Sequence, residues 1–81
     1  MEKKMETRVA VIAIIIEDGS SAQEVNELLH GAAKYIIGRM GIPYRDKGIS
    51  IISIAIDAPQ DIISTLSGKI GRLKGVSVKT A

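Results

Sequence analysis

The sequence predicts an α+β domain in which two helices cover one face of a four-stranded antiparallel sheet, with elements in the order β-α-β-β-α-β. Three observations lead there. Two long β-branched runs, Val9–Ile16 and Ile49–Ile56, hold neither glycine nor proline. Two other segments repeat apolar residues at helical spacing. Glycine, proline and aspartate fall at the joints between these stretches.

Residues 1–6 are charged and patternless and are expected to form a flexible tail, with a single domain over 7–81. Thr7 to Ile16 reads as a buried strand. Lys3, Lys4 and Arg8 ahead of that run resemble the start of a signal peptide, but Glu2 and Glu6 interrupt the basic stretch. The run then ends in Glu17-Asp18 with no small-residue cleavage site. Its eight apolar residues also fall short of the ~20 needed to span a bilayer. Asp18-Gly19-Ser20 is a turn. Ser21-Ala22-Gln23-Glu24 fits a capping box, in which the Ser21 hydroxyl accepts from the Glu24 N–H. Val25, Leu28, Leu29, Ala32 and Ala33 form the apolar stripe of a helix over about 21–34.

Residues 35–44 read as a strand, limited to an edge or an end by Pro43. Gly38-Arg39-Met40-Gly41 marks a bulge or a close approach within it. Arg45-Asp46-Lys47-Gly48 is a polar turn with glycine at a position suited to positive φ. Residues 49–57 complete a hairpin. Asp57-Ala58-Pro59 opens a second helix, whose stripe is Ile62, Ile63, Leu66, Ile70 and Leu73, and Gly75 ends it. Gly68 and Gly71 are costly inside a helix and are read as points where another backbone comes close. Val76 to Thr80 is a short final strand. This order is the split βαβ pattern of ferredoxin-like folds.

Composition bounds the function. Eighty-one residues make one small domain, which buries about 60–65% of its unfolded surface and is marginal alone. There is no cysteine, so no disulfide or thiolate metal site supports it; the absence is compatible with the cytoplasm, the expected location. The net charge of +2 is spread along the chain, with no basic stripe for nucleic acid. Neither direct nucleic-acid contact nor membrane binding is expected.

The first strand is apolar on both faces. Val9, Val11, Ala13 and Ile15 point one way and Ala10, Ile12, Ile14 and Ile16 the other. The third strand nearly repeats this, with Ile52, Ile54 and Ile56 in one row and Ile49, Ile51, Ser53 and Ala55 in the other. Two helices cover one face, so the second calls for another cover. A further copy of the chain is the simplest, making a dimer or tetramer by sheet packing or sheet extension.

Catalytic chemistry finds little footing. The one histidine, His30, lies on the polar side of the first helix and no motif puts a nucleophile beside it. One histidine without cysteine gives few metal ligands, leaving His30 as a weak candidate shared between subunits. Arg39 and Arg45 are candidate anion contacts, since a guanidinium matches a carboxylate. Asp18, Gly19, Ser20, Ser21 and Ala22 lead into a helix N-terminus, where free N–H groups attract carboxylates.

Several stretches together resemble a known family: Asp18-Gly19-Ser20-Ser21, Leu28-Leu29-His30, Tyr35 to Ser53 and Gly68 to Lys79. They are similar to the small bacterial iron-only hydrogenase system regulators. The resemblance runs over nearly the whole chain from Arg8. It implies an ACT-like domain, similar to the effector domain of the nickel-responsive regulator, which assembles through such domains and binds metal with histidines and cysteine. With no cysteine and one histidine here, it carries over neither that nickel site nor any other cofactor. No ribbon-helix-helix arm is seen, so action on DNA is expected to run through a partner chain. ACT domains bind amino acids at subunit interfaces near the first strand-to-helix turn, often on Asp-x-x-Gly. Asp18-Gly19-Ser20-Ser21 matches in part. Carried over, Asp18, Gly19 and Ser20 touch the ligand while the N–H groups of Ser21 and Ala22 receive its carboxylate. The expectation is therefore a non-enzymatic, oligomerising regulatory domain that senses a small ligand such as an amino acid. The alternative is a protein-binding assembly factor for hydrogenase maturation that takes no ligand.

Overall fold

A computed structural model describes residues 6–81. Of the expected tail, residues 1–5 lie outside that range. Four strands, β1 (Arg8–Ile16), β2 (Ile36–Tyr44), β3 (Ile49–Ala58) and β4 (Val76–Thr80), and two helices, α1 (Ala22–Gly31) and α2 (Gln60–Gly71), follow one another as β1-α1-β2-β3-α2-β4. The sheet order is β2-β3-β1-β4 and every pairing is antiparallel. This is the ferredoxin-like arrangement that the element order predicted. Among the described residues, no helix is long and apolar enough to cross a membrane.

Strand pairing decides which residues share a face. Ile12 faces Ile54, Ile14 faces Ile52 and Ala10 faces Ile56 across β1 and β3. These six meet Val25 and Leu29 of α1 and Ile63, Leu66 and Ile70 of α2 in one core, where Ile12, Ile14, Ile54, Ile56 and Ile70 are wholly buried. Removing one such side chain from water stabilises the fold by about 1.5–3 kcal/mol. With no phenylalanine or tryptophan in the chain, the core is a layer of interlocked aliphatic groups.

The hairpin turn meets its expectation: Gly48 has φ +62, a left-handed conformation that glycine enters freely. The bulge expected within Gly38–Gly41 falls just before that stretch, between Ile36 and Gly38, with Ile37 as the extra residue of β2. Other readings are corrected. α1 ends at Gly31, and a 3₁₀ turn over Ala33–Tyr35 carries the chain into β2. α2 ends at Gly71, four residues before Gly75. A Cβ at Gly68 would have nothing within 4 Å and one at Gly71 would touch only the Val78 side chain, so neither glycine admits a backbone. The close approach belongs to Gly75, where a Cβ would stand 2.6 Å from Asp18 Cβ and 2.9 Å from Asp18 N.

Candidate functional site

The turn between β1 and α1 is held by its own side chains. The Asp18 carboxylate accepts from Ser20 N at 2.9 Å and from Ser20 Oγ at 2.7 Å, capping a 3₁₀ turn over Gly19–Ser21. Bonding to the Ser20 hydroxyl, then to the Ser20 N–H, with the nearby Lys74 ammonium adding attraction, holds the Asp18 carboxyl below the usual carboxylate range. The Lys74 contact, 3.7 Å long and mostly exposed, adds little to stability. Ser21 does not make the expected capping box. It is buried and its Oγ donates to Lys74 O at 2.6 Å, because the turn after α2 packs against it. Glu17 N also donates to Gly75 O at 2.7 Å. The two N–H groups offered to a ligand carboxylate are likewise engaged, Ser21 N with Asp18 O at 3.0 Å and Ala22 N with Gly19 O. The geometry makes Asp18–Ala22 a clasp between the β1-to-α1 and α2-to-β4 turns.

Arg39 and Arg45 are not brought together. Arg39 lies mid-strand in β2, while Arg45 begins the hairpin turn six residues on, about 20 Å along an extended chain. Arg39 instead reaches α1, where its Nη2 donates to Asn26 Oδ1. Asn26 is fixed in turn, its Nδ2 donating to Ala22 O at 2.9 Å. Beside this bridge runs an open groove of about 640 Å³ between α1 and β2, lined by Gln23, Asn26, Glu27, His30 and Arg39 over a floor of Leu29, Ala33 and Ile36. Beyond Arg39 it continues as a smaller hollow of about 200 Å³ that includes Ala22, Gly41 and Pro43. Two candidates from the sequence, His30 and Arg39, thus share one site. Gln23, Asn26 and Glu27 were missed, although with His30 they recur at i, i+3, i+4 and i+7 and so share one helix face. Among the described residues, no group of three or more His, Cys, Asp or Glu side chains is placed to hold a metal ion.

The second surface is the sheet face away from the helices. Pairing aligns Ile42, Ile51 and Ile15 in one row across β2, β3 and β1, Met40, Ser53 and Ala13 in the next, and Ala55 and Val11 in a third. Val9, Val11, Ile15, Met40, Ile42 and Tyr44 are all exposed here, from 39% at Ile15 to 66% at Val9. Soluble monomers seldom leave so continuous an apolar surface in water.

Residues 8–80 match the model of the TM1266-like family, described as "Iron-only hydrogenase system regulator, putative". An uncharacterized protein of Thermotoga maritima, TM1266, has 36% identity and a TM-score of 0.90 over 94% of this chain and 96% of its own. Two further solved structures share the fold alone. A formyltetrahydrofolate deformylase of Pseudomonas putida KT2440 has 12% identity and a TM-score of 0.67 over 91% of this chain and 28% of its own. The apo form of CPII, a nitrogen regulatory PII-like protein of Thiomonas intermedia K12, has 15% identity and a TM-score of 0.60 over 94% and 90%. No curated protein sequence matches. The chain belongs to the TM1266-like family of iron-only hydrogenase system regulators.

Proposed function

We propose that this member of the family is a non-enzymatic regulatory domain that acts as an assembly of identical copies, joined through the open face of the sheet. One observation carries the reading: the exposed large apolar side chains of β1 and β2 lie in register on that face, flanked by half-buried Ile51 and Ala55 of β3. A second copy is the occupant that fits. It brings the same β-branched rows, which interdigitate when two sheets stack about 10 Å apart. The face carries few charges, with Asp57 beside Val9 and Lys79 opposite Ala13, so it offers little to a charged partner. The non-enzymatic part rests on the family's description as a regulator. On this reading the Asp18–Ala22 clasp keeps the two turns at one end of the sheet fixed while subunits associate. Its proposed site of action is the cytoplasm, with which a chain free of cysteine is compatible.

Light scattering on the purified chain tests the proposal. The wild type runs as a dimer or tetramer at micromolar concentration, and Val11→Lys, at the centre of the face, runs as a folded monomer with unchanged helical circular dichroism. A wild type that stays monomeric at those concentrations would refute the assembly.

A further inference from the structure

We infer that the groove between α1 and β2 binds a small organic carboxylate, with its charged end on the Arg39 guanidinium and its hydrocarbon part on the floor of Leu29, Ala33 and Ile36. This supplies an effector class for the regulatory reading above and rests on it for its biological purpose. The binding itself is separate from self-association. Arg39 pairs with Ile54, whose side chain lies under the helices, so the groove is on the helix side of the sheet and the proposed subunit interface on the other.

Three features carry it. First, a side-chain hydrogen bond turns Arg39 toward the groove. An exposed arginine on an edge strand ordinarily samples many rotamers, and binding must meet the entropy of fixing one. Here the guanidinium is held by Asn26 Oδ1, and Asn26 is anchored to the helix through Ala22 O. One donor is spent on Asn26; the guanidinium has five. Second, the cavity is of ligand size. At about 640 Å³ it falls within the roughly 300–1,000 Å³ of small-molecule sites, and it offers an apolar floor beside polar groups that can orient a ligand. Third, the charges select the class. Arg39 faces a wall that also holds Glu27, fixed by Gln23 Nε2 at 3.2 Å. Repulsion from the Glu27 carboxylate grows with the charge of the ligand, so it opposes a phosphate dianion more than a carboxylate, whose apolar end can turn to the floor. The Gln23 Oε1 and the His30 ring line the same groove and can meet polar substituents.

Titration of the labelled full-length chain with 4-methylpentanoate, followed by proton–nitrogen and methyl correlation spectra, tests this. The expected result is saturable shifts at the Arg39 side chain, the Asn26 amide and the Leu29 and Ile36 methyls. Arg39→Lys, which keeps the charge and loses the fork, weakens binding about tenfold or more, and Arg39→Gln removes it. Asn26→Ala weakens binding while leaving the fold intact, which marks Asn26 as a positioning residue for Arg39. A free metabolite and a peptide C-terminus present the same group, and acetyl-Ala-Leu run beside 4-methylpentanoate shows which is held more tightly. Three results overturn the inference: no shift at millimolar probe, shifts centred on residues 18–22, or inorganic phosphate binding as tightly as the carboxylates. Each of these leaves the light-scattering result untouched, so the two proposals fail separately.

Discussion

Two glycines with nearly the same backbone conformation allow a controlled test of the clasp. Gly48 has φ +62 and Gly75 has φ +68. Alanine at Gly48 meets nothing within 4 Å, so Gly48→Ala loses about 1 kcal/mol for the left-handed conformation, partly offset by a less flexible unfolded chain. Gly75→Ala carries the same backbone term and adds a collision. Its Cβ would lie 2.6 Å from Asp18 Cβ, 2.9 Å from Asp18 N and 3.3 Å from Asp18 Cα. None of these atoms is the free end of a side chain, so the two turns must separate. Separation strains the Glu17 N to Gly75 O and Ser21 Oγ to Lys74 O bonds, each worth about 1 kcal/mol. The sum is about 3 kcal/mol, a large part of the stability of a small domain. In thermal unfolding at one fixed protein concentration, Gly48→Ala should melt about 5 °C below wild type and Gly75→Ala about 15–25 °C below. Equal losses would show that backbone conformation alone governs both sites and that the clasp contributes nothing.

Ser21→Ala removes the buried donor to Lys74 O and should cost about 1–2 kcal/mol in urea unfolding; no loss would mean that water replaces the hydroxyl without penalty. The lowered pKa of Asp18 gives stability that is fully present above the ordinary carboxylate value of about 3.9 and is lost as pH falls through the lowered folded value. The stability gap between wild type and Asp18→Asn should therefore be constant near neutrality and narrow below about pH 4; a gap that widens on acidification reverses the sign of the argument. Ile54→Val, at a wholly buried position in the middle of β3, should cost about 0.5–1.5 kcal/mol, and Ile54→Ala about 2–5 kcal/mol.

The fold could be read because each joint in the sequence has a local cause. β-Branched runs, a proline that confines β2 to an edge and a glycine at the hairpin turn all act over a few residues. The readings that failed depend on what packs against what. Ser21 looked like a helix cap because the spacing to Glu24 is right, yet the turn after α2, fifty-three residues away, takes its hydroxyl. The tight glycine was sought in the helix at Gly68 and Gly71, but the demand for close approach arises at Gly75, where two turns meet. Arg39 was expected to act with Arg45, yet it reaches across to α1 instead. Its neighbour proved to be Asn26, on a polar helix face that reads in sequence as a solvated surface. Such a face shows its role only once a strand lies beside it.

The exposed isoleucine and valine rows raise a sharper question about what the sequence is selected to do. The helix-side row of β1, from Ala10 to Ile16, is buried within the single chain and accounts for its fold, whereas Val9, Val11 and Ile15 on the other face remain exposed. Replacing outward residues by threonine keeps the β-branch that suits a strand and leaves the helix-side core untouched. Val11→Thr with Ile15→Thr should therefore change the stability of an isolated subunit by no more than about 1 kcal/mol. Association tells a different story, because a partner that binds only the folded chain raises its melting temperature with concentration. The wild type should melt several degrees higher when the protein is raised a hundredfold, and the double variant should melt at one temperature throughout. If both rise alike, a surface other than this face joins the subunits. If neither rises and the wild type is also a monomer, the outward row has no partner in its own kind, and its cover must be a different protein.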